Sequence, residues 1–184
     1  MSQTQRTLAE IYALLADNTT ASISPTDLRD AIETLRHTHG ELSLSASSLT
    51  TINTVDVWEK VAGTTAASPN AFHGMSMPTD CRLLITSAAP RLLHIAVSLS
   101  VTPASSNKVF EFVVAKNGDP DDVNSAPSLK RANIPSSVTV AFAFHALIPV
   151  VNGDYVEVFA RNTTDATNIT VETLNFVAIG MPNG

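Results

Sequence analysis

The stretch RLLHIAVSLSV, from Arg91 to Val101, alternates: Leu93, Ile95, Val97, Leu99 and Val101 fall on one side of an extended chain, and His94, Ala96, Ser98 and Ser100 on the other. Successive side chains of a strand point to opposite faces, so a period of two over this length predicts a long strand with one face in a core. Val138 to Ile148 repeats the pattern. Val138, Val140, Phe142, Phe144 and Ile148 share one face, and Thr139, Ala141, Ala143, His145 and Leu147 share the other. The second face is small, which suits close packing.

Outward from these two runs, strands are expected at 55–62, 81–87, 108–116, 154–160 and 168–180, separated by the turn signals Asn117-Gly118, Asp119-Pro120 and Asn152-Gly153. Seven or more strands at this spacing predict a mainly β protein, an antiparallel β-sandwich of jelly-roll type. Several strands are apolar on both faces. Val109, Val113 and Ala115 oppose Phe110, Phe112 and Val114, and Tyr155 and Phe159 oppose Val156, Val158 and Ala160. A free sandwich normally leaves one face of each sheet polar. With no spare helices beyond residue 41, copies of the same chain are expected to cover the second faces, which predicts a homo-oligomer.

Two short helices are expected ahead of the strands. In the first, Leu8, Ile11, Tyr12 and Leu15 follow helical spacing behind a Thr7/Glu10 capping box. The second starts with Ser24 as N-cap, Pro25 at N1 and Asp27 at N3; Leu28, Ala31, Ile32 and Leu35 form its stripe, and Gly40 suits its termination. About three turns each bury too little surface to stand alone. Residues 41–53, ELSLSASSLTTIN, read as a connector. The expected organisation is a helical segment over 1–40, a connector over 41–53 and a β-domain over 54–184.

Ser and Thr supply 39 of 184 residues, charged residues 15% and aromatics 5%, a β-rich profile and not that of a coiled coil. A net charge of −6 with no basic patch argues against binding nucleic acid. The helical pair is not a DNA-reading one either, since its second helix displays Asp27, Asp30 and Glu33 against Arg29 and Arg36. Cys81 is the single cysteine, which removes intrachain disulfides and cysteine-based zinc sites. No apolar run approaches the roughly 18–20 residues of a membrane span, and MSQTQRTLAE lacks a signal-peptide core, so a soluble protein made without export is expected.

Two segments carry a family resemblance. Leu14-Leu15-Ala16-Asp17-Asn18-Thr19-Thr20, then Ile23-Ser24-Pro25 and Asp27-Leu28-Arg29-Asp30, resembles a leader found on tailed-bacteriophage structural proteins, notably head and tail fibres. Ala21 stands where that leader more commonly has Gly. Gly153-Asp154-Tyr155-Val156-Glu157-Val158, then Arg161-Asn162-Thr163-Thr164 and the run from Val171 to Met181, resembles the C-terminal jelly rolls of such proteins, which look like the trimeric tumour-necrosis-factor and complement C1q fold. The resemblance implies a homotrimer located in a virion, anchored to capsid or tail proteins through its N-terminus, with the β-domain projecting outward.

The polar motifs suggest no chemistry beyond this. His37-Thr38-His39 is a weak metal candidate: two imidazoles facing one way on an extended chain become six around a threefold axis. His94 and His145 lie on the small faces of two strands and could meet across a sheet or subunit interface, while His73 falls in a loop. Cys81 reads as a structural thiol. No nucleophile elbow, P-loop, HExxH or dinucleotide fingerprint occurs, so neither enzymatic activity nor a cofactor is expected. The anchor or helix-packing candidates are Leu8, Ile11, Leu15, Leu28, Ile32 and Leu35; the trimer-packing candidates are Ala141, Ala143, His145 and Tyr155. The expected function is a trimeric capsid decoration or head fibre. The alternative is a tail fibre recognising a host surface glycan through the loops Ala62 to Met77 and Gly118 to Pro135.

Overall fold

The computed structural model describes residues 10, 11, 13, 23–105, 107–122, 125–135 and 138–182. Its helix α1 spans Pro25–Leu35. Strands follow as β1 (Thr38–Leu44), β2 (Ser48–Thr50), β3 (Glu59–Lys60), β4 (Thr65–Ala66), β5 (Phe72–His73), β6 (Met75–Ser76) and β7 (Arg82–Ile85). The longer ones come later: β8 (Arg91–Pro103), β9 (Lys108–Lys116), β10 (Lys130–Ile134), β11 (Val140–Val150), β12 (Tyr155–Asn162) and β13 (Ile169–Pro182).

These form two antiparallel sheets, ordered β11-β8-β13-β1-β4 and β10-β9-β12-β7-β6. Eight strands carry the fold. In chain order they pair first with last (β1 with β13), second with seventh (β7 with β12), third with sixth (β8 with β11) and fourth with fifth (β9 with β10). That winding is a jelly roll. Between the sheets lies one core, built from the alternate positions of each strand: Leu93, Ile95, Val97 and Leu99 meet Phe110, Phe112, Val156 and Val158, all essentially inaccessible. Pro149 sits inside β11 without breaking a ladder, because β11 is an edge strand with a single partner.

The predicted strands over 81–87, 108–116, 154–160 and 168–180 are all present, and the run from Val138 becomes β11, displaced by two residues. Of the strand expected over 55–62, Glu59–Lys60 forms β3 and the Val61 N–H donates to the Val158 carbonyl oxygen, while Asp56 turns the chain ahead of them with φ 62.

The largest correction concerns the N-terminal boundary. Residues 41–53 are not a connector: Thr38–Leu44 pairs along its length with β13, from Thr38 opposite Gly180 to Ser43 opposite Asn175. Leu42 is fully buried. The β-domain therefore begins at Thr38, inside the segment assigned to the helices. Gly40 is not a helix terminator but a strand residue under Met75 and Leu83; a Cβ there would sit 2.9 Å from the Met75 sulfur.

Helix α1 has the expected capping box. The Asp27 N–H donates to Ser24 Oγ at 3.2 Å and the Ser24 N–H to Asp27 Oδ2 at 3.0 Å. Asp30, Ala31 and Thr34 face inward, while Leu28, Ile32 and Leu35 are each more than half exposed. The inward face is chosen by the fully buried Arg91, whose Nη1 donates to the Thr34 carbonyl oxygen at 3.0 Å, so only small side chains fit the close approach. Leu8 and Leu15 lie outside the described residues; Ile11 is helical and buried.

Candidate functional site

The outer faces of the two sheets differ in kind, and the first is the candidate site. On the first sheet the outward positions of β8 and β11 are paired in register: Ser100 opposite Ala141, Ser98 opposite Ala143, Ala96 opposite His145 and His94 opposite Leu147. Strand β13 extends each row, with Asn175 beside Ser98, Val177 beside Ala96 and Ile179 beside His94. Ala96, Ser98, Ala141, Ala143 and His145 are exposed, as are Leu147 and Ile179.

The small side chains leave shallow grooves in which Phe142 and Phe144 show through from below. Polar groups here are largely paired among themselves: Ser100 with Thr173 at 2.7 Å, Thr102 with Thr139 at 2.9 Å, and Asn175 Nδ2 donating to Glu41 at 3.1 Å. Apart from the buried Arg91, the four long strands of this sheet contain no Lys or Arg. The face thus combines small side chains with few charges, and the scarcity of charge is the trait it shares with an interface core.

Three of the four trimer-packing candidates, Ala141, Ala143 and His145, come together here. His94 and His145 do meet, diagonally across β8 and β11, with ring centroids 6.2 Å apart. Tyr155 does not join them. It lies on the second sheet beneath the Arg82 guanidinium, 3.9 Å from the ring centroid.

The outer face of the second sheet is covered by the chain itself, which corrects the expectation that its apolar second face needs another copy. Glu157, 1% exposed, accepts from Lys60 Nζ at 2.7 Å and Arg82 Nε at 2.8 Å. Glu111, 5% exposed, accepts from Arg161 Nη2 at 2.7 Å, with Arg131 at 3.6 Å. Trp58 stacks over the Arg161 guanidinium at 4.4 Å and donates from Nε1 to Asp121 at 3.1 Å, so a loop from one side of the sheet is tied to a loop from the other. Beneath this lattice Val113 and Ala115 are buried.

A third cluster sits where α1 meets β5. His73 Nε2 lies 2.8 Å from Glu33 Oε1 and its Nδ1 3.2 Å from the His37 carbonyl oxygen, while the His39 ring stacks 6.0 Å away. Burial pulls the Glu33 carboxyl up, but hydrogen bonds and charge from Arg36 and His73 outweigh it and hold it below the usual value. Of the metal candidates, His37 contributes its backbone oxygen to this cluster and His39 its ring edge. Among the described residues, no three His, Cys, Asp or Glu side chains converge as metal ligands. Position in sequence gave no hint that His73 would join them, since it reaches His39 through the register of β1 with β5.

Cys81 is buried, its sulfur 3.4 Å from the Gly63 carbonyl oxygen, and burial pushes its thiol up to about 11. It borders an open cleft with Ser48, Lys60, Gly63, Thr79 and Asp80, and no histidine lines that cleft. A thiol so far from ionisation is a poor nucleophile at neutral pH. Among the described residues no helix is long and apolar enough to cross a membrane.

The strand order defines the class: a jelly-roll β-sandwich with one open sheet face. No family model and no curated protein sequence matches the chain. Solved structures do resemble it. Murine APRIL at pH 5.0 matches over 77% of this chain and 98% of its own, with 11% identity and a TM-score of 0.44. Eiger TNF from S. frugiperda matches over 79% and 90%, with 12% identity and a TM-score of 0.49. Rabbit GITRL matches over 72% and 92%, with 15% identity and a TM-score of 0.37. The fold assignment itself rests on the strand order and registers described above.

Proposed function

We propose that this protein is a non-enzymatic structural component of a bacteriophage virion: a homotrimeric capsid decoration or head fibre that docks through its N-terminal segment and projects the jelly roll. The observation that carries the reading is the open face of the first sheet. Leaving Ala96, Ala141, Ala143, Leu147 and Ile179 to water, while the second sheet is covered by an intramolecular lattice, is explained if other copies cover the first.

The N-terminal leader supports the virion location through its resemblance to phage structural proteins. The outward stripe of Leu28, Ile32 and Leu35 supports docking, because it is apolar, regular and free of the β-domain. Three such arms on one trimer act at high effective concentration, so weak individual contacts suffice for firm attachment. A receptor-binding tail fibre is the weaker reading: Trp58 and Tyr155, the larger polar aromatics of the β-domain, each have a ring face occupied by a guanidinium.

Light scattering on the purified chain tests the assembly. A particle of three times the 19.5 kDa protomer is expected at micromolar concentration, and a stable monomer would overturn the proposal. Gold-labelled antibody on intact particles then assigns head or tail; label on the tail tip would favour the receptor-binding alternative.

A further inference from the structure

We infer that His73, as an imidazolium, latches helix α1 to the edge of the first sheet, and that the helix loosens when the ring gives up its proton. Both ring nitrogens face acceptors: Nε2 faces the Glu33 carboxylate at 2.8 Å, and Nδ1 faces the His37 carbonyl oxygen at 3.2 Å. A carbonyl oxygen only accepts, and so does an ionised carboxylate. Glu33 is held ionised by Arg36, whose Nη1 donates to its other oxygen at 3.0 Å. A neutral imidazole has one N–H and would set a lone pair against one of these oxygens. The imidazolium satisfies both.

The position of the latch makes it matter. Helix α1 leaves Leu28, Ile32 and Leu35 exposed and, among its described side chains, buries Asp30, Ala31 and Thr34, of which Ala31 alone is apolar, so polar ties contribute to its docking. One is Arg91 to the Thr34 carbonyl, which does not change charge in the neutral range. Another is His73, whose side chain is 17% exposed against 14% for Glu33. The charged or titratable groups that the structure places against the ring are Glu33 of α1, itself paired with Arg36, and His37 and His39 at the start of the first sheet. Histidine changes charge between pH 5 and 8, so the latch is closed on the acid side of that window and opens as pH rises through it.

Amide hydrogen exchange of residues 28–36 in the full chain at pH 5.5 and 8.0, corrected for intrinsic rates, tests this. Protection is expected to be about fivefold to tenfold greater at pH 5.5, the scale of one shielded charge-assisted hydrogen bond. His73→Gln should give the lower protection at both pH values, and Glu33→Gln should do the same. Equal wild-type protection at the two pH values, or a pH dependence that survives in H73Q, overturns the inference. Should H73Q not fold, the ring nitrogen resonances of wild-type His73 decide: a neutral ring at pH 5.5 overturns it.

Discussion

The two sheets of this jelly roll share one core and treat their outer faces oppositely. Strands β9 and β12 of the second sheet place Glu111 and Glu157 among apolar neighbours, and Lys60, Arg82, Arg131 and Arg161 close over them. Strands β8 and β11 of the first sheet turn no such charges outward, only small residues, two histidines, Leu92, Leu147 and Pro149, most of them exposed in the protomer. A buried carboxylate must be satisfied within the fold that buries it, so the second face is self-contained. A face of small, mutually bonded side chains carries no such obligation and stays exposed in the protomer.

The largest effect expected from this contrast is at the first face. Ala143→Arg puts a long cation at the centre of the small-residue grooves, where like charges would meet in an assembly; association should weaken about a hundredfold or more. Light scattering should report monomers with an unchanged circular dichroism spectrum, because Ala143 is exposed in the protomer. A trimer that survives A143R would place the contact elsewhere. The converse change on the second face, Glu157→Ala, should leave assembly intact and cost the fold about 2 kcal/mol in urea unfolding, since Arg82 and Lys60 lose their shared acceptor.

Trp58→Ala should cost about 1 kcal/mol by removing one stacked guanidinium and one hydrogen bond. The acid limb should be gentler still. The hydrogen bond from Lys108 holds the Asp165 carboxyl at about 2, a lowered value, so its contribution is present above the ordinary carboxylate range and lost as pH falls through about 4 toward 2. Asp165→Asn should flatten that part of a melting-temperature profile. The smallest effect on stability belongs to Leu28→Ser, within about 0.5 kcal/mol because the side chain is exposed, yet this variant should lose attachment to particles if the α1 stripe is the anchor.

The legibility of these features follows their range. The alternation at Arg91 to Val101 and at Val138 to Ile148 is local, and the faces it gives are those of the structure from Val140 on, Val138 itself being exposed ahead of the strand. The Ser24–Asp27 cap is local too. Thr38 to Leu44 was misread because its strand character is imposed by β13, more than a hundred residues away, and THGELSL has only two leucines to mark it. Leu28, Ile32 and Leu35 are legible as the apolar stripe of α1, but the sequence does not say which way it faces: Thr34, on the opposite side, meets the buried Arg91, and the stripe stays exposed. The lattice on the second sheet left a faint mark in sequence, a glutamate at the centre of each otherwise apolar strand, but its cations come from four separate segments.

What the chain settles locally is the β period, the small face of β8 and β11, the helix cap, and a composition that relies on neither disulfides nor a basic surface. Those are properties of adjacent side chains and backbone preferences. Which of the two apolar-looking sheet faces stays open, where the β-domain begins, and which histidine meets Glu33 depend on register between strands distant in sequence. Register is set by core packing and by the pairing of buried charges, both of which exist only once the sheets have closed on one another.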